Sequence, residues 1–378
     1  MELIERKSDV LTGEGALEHL HTFANFPVFM GCVDHPQSED VLVDSVWDIG
    51  VSSGLVQLKY LIPLNILYNT SHGSGDIGRI WDEHHRSFAA FVSRYNPNSV
   101  LEIGGGHGRL AKLYEDHFKI PWTIIEPNPA PESKSNAVWI KGFFNRSFIS
   151  DSEYDCYVHS HLFEHLYDPC IFMDDLSTHM KVGDKLLFTL PNMQAMLERN
   201  YTNCLNFEHT FLLTEPYIEY LLARNGFEVI GKEYFMEDHS IFYAAVRSSN
   251  LIETKLPPNL YVNNKELFLN FIKSHKEMIA SYNDKLDQIG APVYLFGAHV
   301  FAQFLIQMGL DLTKIVSILD NDVKKQGKRL YGSNLMVESP AILSDTDNPI
   351  VILKAGVYNE EIKHDIINNI NAKVTFWE

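Results

Sequence analysis

The 378-residue sequence has few basic residues, few cysteines and no long apolar run, and each shortage excludes a class of protein. Lys and Arg number 31 against 49 Asp and Glu, which gives a net charge of −18. The basic residues form no strong cluster, whereas a nucleic-acid-binding surface needs basic patches that neutralise phosphates. We therefore expect a small-molecule partner and no binding to nucleic acid.

The four cysteines show neither the spacing of metal-ligand pairs nor a disulfide framework. They are Cys32, Cys156, Cys170 and Cys204. No apolar stretch reaches the length of a membrane helix, and residues 1–7 lack the basic-then-apolar order of a signal peptide. The sequence therefore predicts a cytoplasmic protein with reduced thiols and no membrane contact.

An apolar segment runs into a glycine-rich turn at residues 100–110, VLEIGGGHGRL. Gly104, Gly106 and Gly108 allow positive φ angles and let a ligand approach the backbone. Together with Glu102 they make the pattern Glu-x-Gly-x-Gly-x-Gly, which differs from the Gly-x-Gly-x-x-Gly of dinucleotide binders. A pyrophosphate requires helix N-terminal amides without a nearby carboxylate, whereas a carboxylate can attract the cationic end of S-adenosylmethionine. For this motif alone, a glycine-rich turn without a ligand is the equal alternative.

A second acid follows the next predicted strand. Residues 121–129 read PWTIIEPNP, so Glu126 lies where a doubly wound fold places its ribose-binding carboxylate. We expect Glu126, beside Pro127, to bind ribose, although a surface acid before a proline turn has the same pattern. Residues 138–144 add a strand and two aromatic residues. Phe143 is expected to cover an adenine, and core packing is an equal alternative for either phenylalanine.

Strand and helix patterns divide the chain into three predicted domains. Residues 1–80 contain short apolar runs broken by turn residues, which predicts a small β-rich module. Residues 81–250 alternate strands with helices, which indicates a mostly parallel sheet ending in an antiparallel hairpin. Residues 251–378 begin with a linker and a long helix, and the alternating strands and helices that follow predict a second Rossmann-like unit. Its strand-to-helix loop has one glycine, Gly297, so we expect no dinucleotide there. The predicted fold class is α/β.

The glycine motif, Glu126 and residues 155–169, DCYVHSHLFEHLYDP, make residues 80–250 resemble the class I S-adenosylmethionine-dependent methyltransferases. The three-part layout is similar to the sugar C-methyltransferases that act on nucleotide-linked deoxysugars, with an N-terminal zinc module and a C-terminal Rossmann-like domain. The resemblance implies S-adenosylmethionine as cofactor and a nucleotide-linked sugar as substrate.

The resemblance also assigns residues around the methyl donor. It implies that Ser160 and His161, at the end of the fourth strand, face the reacting end of the donor, and that Tyr68 and Ser71 belong to a lid. His161 has an alternative structural role.

The sequence departs from this family in the N-terminal module. The family holds zinc through two Cys-x-x-Cys pairs, which by register fall near Asp9 and Thr12 and at Gly50 and Ser53. None of these residues is a thiol, and their side chains bind zinc poorly. We therefore expect no structural zinc and no other bound metal.

The segment 206–211, NFEHTF, lies where the family carries its catalytic Tyr-His-Glu-His. Asn206 replaces the tyrosine and cannot act as an acid or base. His209 is then the first candidate base and Glu208 the second, with a satisfied polar residue in a loop as the alternative for each. Methylation at carbon and at a hydroxyl oxygen both stay open. A nicotinamide-dependent oxidoreductase and a catalytically inactive binding protein are the other hypotheses.

Overall fold

The computed structural model describes residues 1–68, 78–131, 135–250 and 254–378. The N-terminal part is built on an antiparallel sheet in which β4 lies between β2 and β5, while β1 pairs with β6. Apolar residues on its inner face, such as Trp47 and Ile49, are completely buried. Its elements are β1 (Ile4–Glu5), β2 (Leu17–Pro27), β3 (Cys32–Val33), β4 (Leu42–Gly50), β5 (Val56–Leu58), β6 (Tyr60–Leu61) and α1 (Leu64–Leu67). The helix α2 (Arg79–Ser93) comes next and packs against the central sheet.

Two turns of this sheet meet at the buried carboxylate of Asp9. Its Oδ1 accepts a hydrogen bond from the backbone N of Thr12 (3.3 Å), and its Oδ2 accepts from the backbone N of Ser53 (3.3 Å) and from Ser52 Oγ (3.2 Å). Gly50 faces this carboxylate so closely that a Cβ there would overlap with it. The carboxylate of Asp9 thus links the two turns at the positions that align with the zinc-binding cysteines of the resembled family.

The central part is a sheet with the order β12-β13-β11-β10-β7-β8-β9, in which β13 is antiparallel to both neighbours and the pairs from β11 to β9 are parallel. Helices cover both faces, so β10 and β11 are buried along almost their whole length. The predicted edge hairpin is confirmed. The elements are β7 (Val100–Ile103), α3 (Arg109–Glu115), β8 (Trp122–Glu126), β9 (Val138–Lys141), β10 (Cys156–Ser160), α4 (Pro169–His179), β11 (Lys185–Pro191), α5 (Met193–Glu198), α6 (Glu215–Arg224), β12 (Phe227–Phe235), α7 (Met236–His239) and β13 (Ser240–Arg247).

A 29-residue helix, α8, connects this sheet to a parallel sheet of order β17-β15-β14-β18-β19. The buried side chains of α8, among them Phe268, Ile272 and Ile279, recur at the three- and four-residue spacing of a helix face. The α/β fold class predicted from the sequence is confirmed. The domain limits at residues 80 and 250 remain predictions. The elements are α8 (Leu260–Gln288), β14 (Val293–Phe296), α9 (Val300–Gln307), β15 (Ile315–Leu319), β16 (Arg329–Leu330), β17 (Val337–Glu338), β18 (Ile350–Ile352), α10 (Asn359–Asp365) and β19 (Thr375–Trp377).

The first and last parts of the chain are joined directly. Strand β3 pairs with β16, and Arg329 forms a two-point ion pair with the carboxylate of Asp40, with N···O distances of 2.7 and 2.8 Å. Both side chains are buried. In the part of the chain that the structure describes, no helix combines the length and the apolarity needed to cross a bilayer.

Candidate active site

A cleft of about 1770 Å³ lies where the carboxyl ends of the central strands face those of the C-terminal strands. The loops after β7, β8 and β10 line one side, and the loops after β14 and β15 line the other. Pockets for one small ligand are usually about 300–1,000 Å³. The cleft therefore has room for two ligands side by side.

The glycine-rich turn forms one end of the cleft. Gly104, Gly106 and Gly108 have φ angles of 74°, 50° and 74°, the positive values expected from the sequence. At Gly105 a Cβ would lie 2.6 Å from Ile124 Cγ2, so only glycine lets the turn pack against β8. The turn thereby exposes its backbone to the cleft.

Glu126, at the end of β8, holds this turn in place. Its Oε2 accepts a hydrogen bond from the backbone N of Gly106 (3.1 Å), and its Oε1 accepts from the backbone N of Asn128 (3.0 Å). An ionised carboxylate has about four acceptor positions. Glu126 is half-buried and lines the cleft, so it retains acceptor capacity for a ligand's hydroxyl groups.

Glu102 borders the cleft but is only 3% exposed. Its Oε2 accepts a hydrogen bond from the indole Nε1 of Trp122 (2.8 Å). Burial raises the pKa of Glu102 to about 8, and the hydrogen bond from Trp122 only partly offsets this. At neutral pH the protonated acid is favoured, so the charge attraction expected from the sequence is weak in the unliganded protein.

The two phenylalanines after β9 diverge. Phe143 is 52% exposed at the cleft, whereas Phe144 packs with Phe172 and His179, with ring centroids 6.1 and 5.1 Å apart. Phe144 therefore takes part in core packing, whereas Phe143 is accessible from the cleft and its contact with an adenine stays a prediction. The other expected donor contacts that line the cleft are Tyr68, Pro127, Ser160 and His161. Ser71 lies outside the described residues.

The candidate base His209 is held by a local turn. Asn206 Oδ1 accepts hydrogen bonds from the backbone N of Glu208 (2.8 Å) and of His209 (2.9 Å). His209 Nδ1 lies 2.9 Å from the carbonyl oxygen of Cys204. A carbonyl only accepts, so Nδ1 carries the proton and Nε2 keeps its lone pair. Burial and the neighbouring His165 lower the pKa of His209, which keeps the ring neutral at pH 7.

A buried carboxylate and a second imidazole lie beside this pair. His165 Nδ1 donates to the backbone carbonyl of Glu208 (3.1 Å), and the rings of His165 and His209 are 5.4 Å apart. Burial alone would raise the pKa of Glu164, but the hydrogen bond from His161 and the surrounding imidazoles lower it to about 2. Glu164 therefore stays ionised and orients the histidines around it.

A residue of the N-terminal part, Arg6, contacts the backbone next to this site. Arg6 is buried, and its guanidinium donates to the carbonyl oxygens of Thr210 (2.5 Å) and Tyr167 (2.7 Å). These contacts fix the segment that carries Glu208 and His209. Burial lowers the pKa of Arg6 to about 10, so it still carries its charge at neutral pH.

Several residues at the cleft were not singled out from the sequence. Trp81 and His239 line it beside His161, and Tyr358 reaches it from the C-terminal part. Nothing in their local sequence marks them, because they come from separate elements. The turn formed by Asn206 could have been predicted from the sequence, because an asparagine side chain often accepts a hydrogen bond from the backbone two residues later, here at Glu208.

Residues 79–232, fewer than half of the chain, match a family model described as a methyltransferase domain. This part of the chain is therefore a methyltransferase domain. The five parallel strands β7 to β11 of the central sheet lie within these residues, whereas the antiparallel β13 lies beyond them. No match was found among curated protein sequences.

Several solved structures are similar to part of this chain at low sequence identity. Human N-acetylserotonin methyltransferase in complex with S-adenosylmethionine is 16% identical, with 45% of this chain and 53% of that one covered and a TM-score of 0.38. An O-methyltransferase family protein from Burkholderia thailandensis is 13% identical, with 46% and 57% covered and a TM-score of 0.37. A putative S-adenosylmethionine-dependent methyltransferase from Listeria monocytogenes is 12% identical, with 47% and 100% covered and a TM-score of 0.36. The chain thus spans little more than half the length of the first two, and likeness at this level says nothing about the substrate.

Proposed function

We propose that the protein transfers a methyl group from S-adenosylmethionine to a small polar acceptor in the cleft, and that the acceptor is a sugar carried on a nucleotide. The observation that carries the proposal is the contact between Gly106 and Glu126. It places an acid at a strand end against the glycine-rich turn of a methyltransferase domain. The nucleotide-linked sugar rests on the family resemblance of the sequence and on the size of the cleft.

The donor is proposed to lie across the ends of β7, β8 and β10. Glu126 accepts hydrogen bonds from the ribose hydroxyls, and Phe143 covers the adenine. The protonated Glu102 contributes polarity below the methionine end without a full charge. The remaining proposed donor contacts are Tyr68, Ser71, Gly104, Gly106, Pro127, Ser160 and His161.

The chemistry needs one base. The sulfonium makes the methyl group electrophilic, so the protein aligns donor and acceptor, excludes water and removes a proton. The bond between methyl carbon and sulfur breaks as the bond to the acceptor forms, which leaves S-adenosylhomocysteine. The acceptor's proton passes to Nε2 of His209, whose tautomer leaves that atom free to accept it. Glu208 is the second candidate base.

Calorimetric titration of the full chain with S-adenosylmethionine, S-adenosylhomocysteine and NADH tests the donor. We expect micromolar binding of both adenosyl ligands and none of NADH. Glu126→Ala should weaken adenosyl binding by roughly 1.5–3 kcal/mol, as for removing a hydrogen bond to a charged group. Glu228→Ala, an exposed acid on β12, is the matched control and should leave binding unchanged.

Two results would overturn this assignment. Binding of NADH in place of the adenosyl ligands would favour the nicotinamide-dependent oxidoreductase. Binding of neither would contradict the proposal that S-adenosylmethionine is the methyl donor. Donor binding without turnover on any sugar would favour the inactive binding protein.

A kinetic experiment tests the base. With nucleotide-linked sugars as acceptors, His209→Ala should keep its affinity for the donor and lose about 10²–10⁴-fold in kcat. An unchanged kcat would rule out His209. Loss of deuterium from a labelled C–H of the acceptor in the absence of donor would indicate carbon methylation, because only the enolate route exchanges that position.

A further inference from the structure

Three histidines from separate elements meet at the wall of the cleft. His84 comes from α2, His161 follows β10, and His239 is the last residue of α7. Each offers a ring nitrogen within 4.8 Å of ring nitrogens of the other two. They lie far apart in the sequence, which is why local spacing predicted no metal-binding group.

One ring nitrogen of this group lacks a partner. His84 is completely buried, and its Nε2 lies 3.3 Å from the hydroxyl of Thr189. Its Nδ1 is buried without a hydrogen-bond partner among the described residues. Burying a polar atom without a partner is unfavourable, so a ligand bound to Nδ1 of His84 would remove that cost.

In His161 and His239, one ring nitrogen lies near a side-chain oxygen that orients the ring. His161 Nδ1 lies 3.3 Å from Glu164 Oε1, and since an ionised carboxylate only accepts, Nδ1 carries the proton and Nε2 has the lone pair. His239 Nε2 lies 3.4 Å from the hydroxyl of Tyr358. Ser240 Oγ lies between the two rings, 3.0 Å from His161 Nε2 and 2.6 Å from His239 Nδ1. Metal-binding histidines are commonly held in this way by a carboxylate or hydroxyl on the opposite nitrogen.

We propose that His84, His161 and His239 bind a divalent transition-metal ion such as Zn²⁺, with the fourth position left to water or to a ligand in the cleft. Imidazole nitrogens suit zinc, and three histidines with one open position form a known zinc site. Bonds of about 2.0–2.1 Å place tetrahedral ligand atoms about 3.3 Å apart. The three ring nitrogens lie within 4.8 Å of one another, so shifts of at most about 1.5 Å bring them to that spacing.

The ion would join α2 to the end of β10 and to α7. It would also fix His161, whose φ of 49° lies in the left-handed region that non-glycine residues rarely adopt. This places the proposed metal beside the donor site as a structural clamp. The proposal does not depend on methyl transfer.

A neighbouring group has to be distinguished from this one. Glu164, His165 and His209 also bring ligand atoms within 4.8 Å of one another. In that group each histidine donates its Nδ1 proton to a backbone carbonyl, and the carboxylate is shared with His161. The experiment must therefore locate the ion as well as detect it.

The test is titration of the chelator-treated full chain with Zn²⁺ by calorimetry and with Co²⁺ by visible absorption. We expect a single high-affinity ion per chain, the intense absorption bands of tetrahedral Co²⁺, and a higher Tm with Zn²⁺. His161→Gln and His239→Gln should each weaken binding at least tenfold and abolish the rise in Tm. His165→Gln, and His117→Gln at an exposed position, should leave the affinity unchanged.

His84→Gln should behave like the other two ligand variants. If its circular dichroism shows that it does not fold, His239→Gln decides the matter, since that residue borders the cleft. The proposal is overturned if the unaltered chain binds neither ion. It is equally overturned if His165→Gln abolishes binding while His161→Gln and His239→Gln retain it.

Discussion

Replacing Glu102 by glutamine should remove a pH-dependent loss of stability. The side chain is 3% exposed, and burial raises its pKa to about 8 from the ordinary value of 4.5. The folded state therefore binds this proton more tightly than the unfolded state does. The resulting stabilisation is fully present below the unfolded pKa and is lost as the pH rises through the folded pKa. Glutamine keeps the shape and an acceptor oxygen for Trp122, and it does not titrate.

The size of the effect follows from the two pKa values. One pKa unit corresponds to about 1.36 kcal/mol, so between pH values of about 5.5 and 8.5 the stabilisation from Glu102 should fall by roughly 3 kcal/mol. Domains are typically stable by about 5–15 kcal/mol. The loss is therefore large enough to measure against the background of the other titrating groups.

Urea unfolding followed by circular dichroism at acidic, neutral and alkaline pH measures this difference. The unaltered chain should lose roughly 3 kcal/mol more than Glu102→Gln across that range. Glu228→Gln, an exposed substitution on β12, should follow the unaltered chain. Parallel pH profiles for Glu102→Gln and the unaltered chain would refute the raised pKa.

Three further substitutions test contacts around the cleft. Arg6→Lys should lower the free energy of unfolding by about 2–4 kcal/mol, because lysine cannot reproduce a guanidinium that donates to two backbone carbonyls; urea unfolding with no change would contradict this. Asp40→Asn should cost about 3–5 kcal/mol, since it leaves the buried Arg329 without its carboxylate; an unaltered urea midpoint would show that the pair contributes nothing. Gly105→Ala should weaken S-adenosylmethionine binding at least tenfold in calorimetry, because its Cβ meets Ile124 and displaces the turn; full affinity would show that the turn is not the donor site.

Local patterns were sufficient for much of the fold. Strands β7, β8, β10 and β11 are buried on both faces, so they are visible in the sequence as short apolar runs between turn residues. The antiparallel hairpin was predictable because β12 and β13 are separated by only a few residues in the sequence. The pairing of β3 with β16 was not predictable, because each strand has two residues and no period can be read from them.

The candidate site was predictable to different degrees. The glycine turn and Glu126 follow from local geometry, since positive φ angles require glycine and the acid comes directly after a strand. The role of Asn206 in holding His209 was missed, because the position was compared only with the tyrosine of the resembled family. Whether these residues bind the donor and remove the proton stays a prediction.

The sequence by itself determined the parallel sheet, the glycine-rich turn and the acids at the strand ends, because these depend on local backbone preferences and on the apolar pattern. Only the tertiary structure decided the charge of Glu102, the tautomer of His209 and the meeting of His84, His161 and His239. Those properties depend on which distant groups become neighbours and on how much water is removed from them. Neither quantity is encoded in any single stretch of the chain.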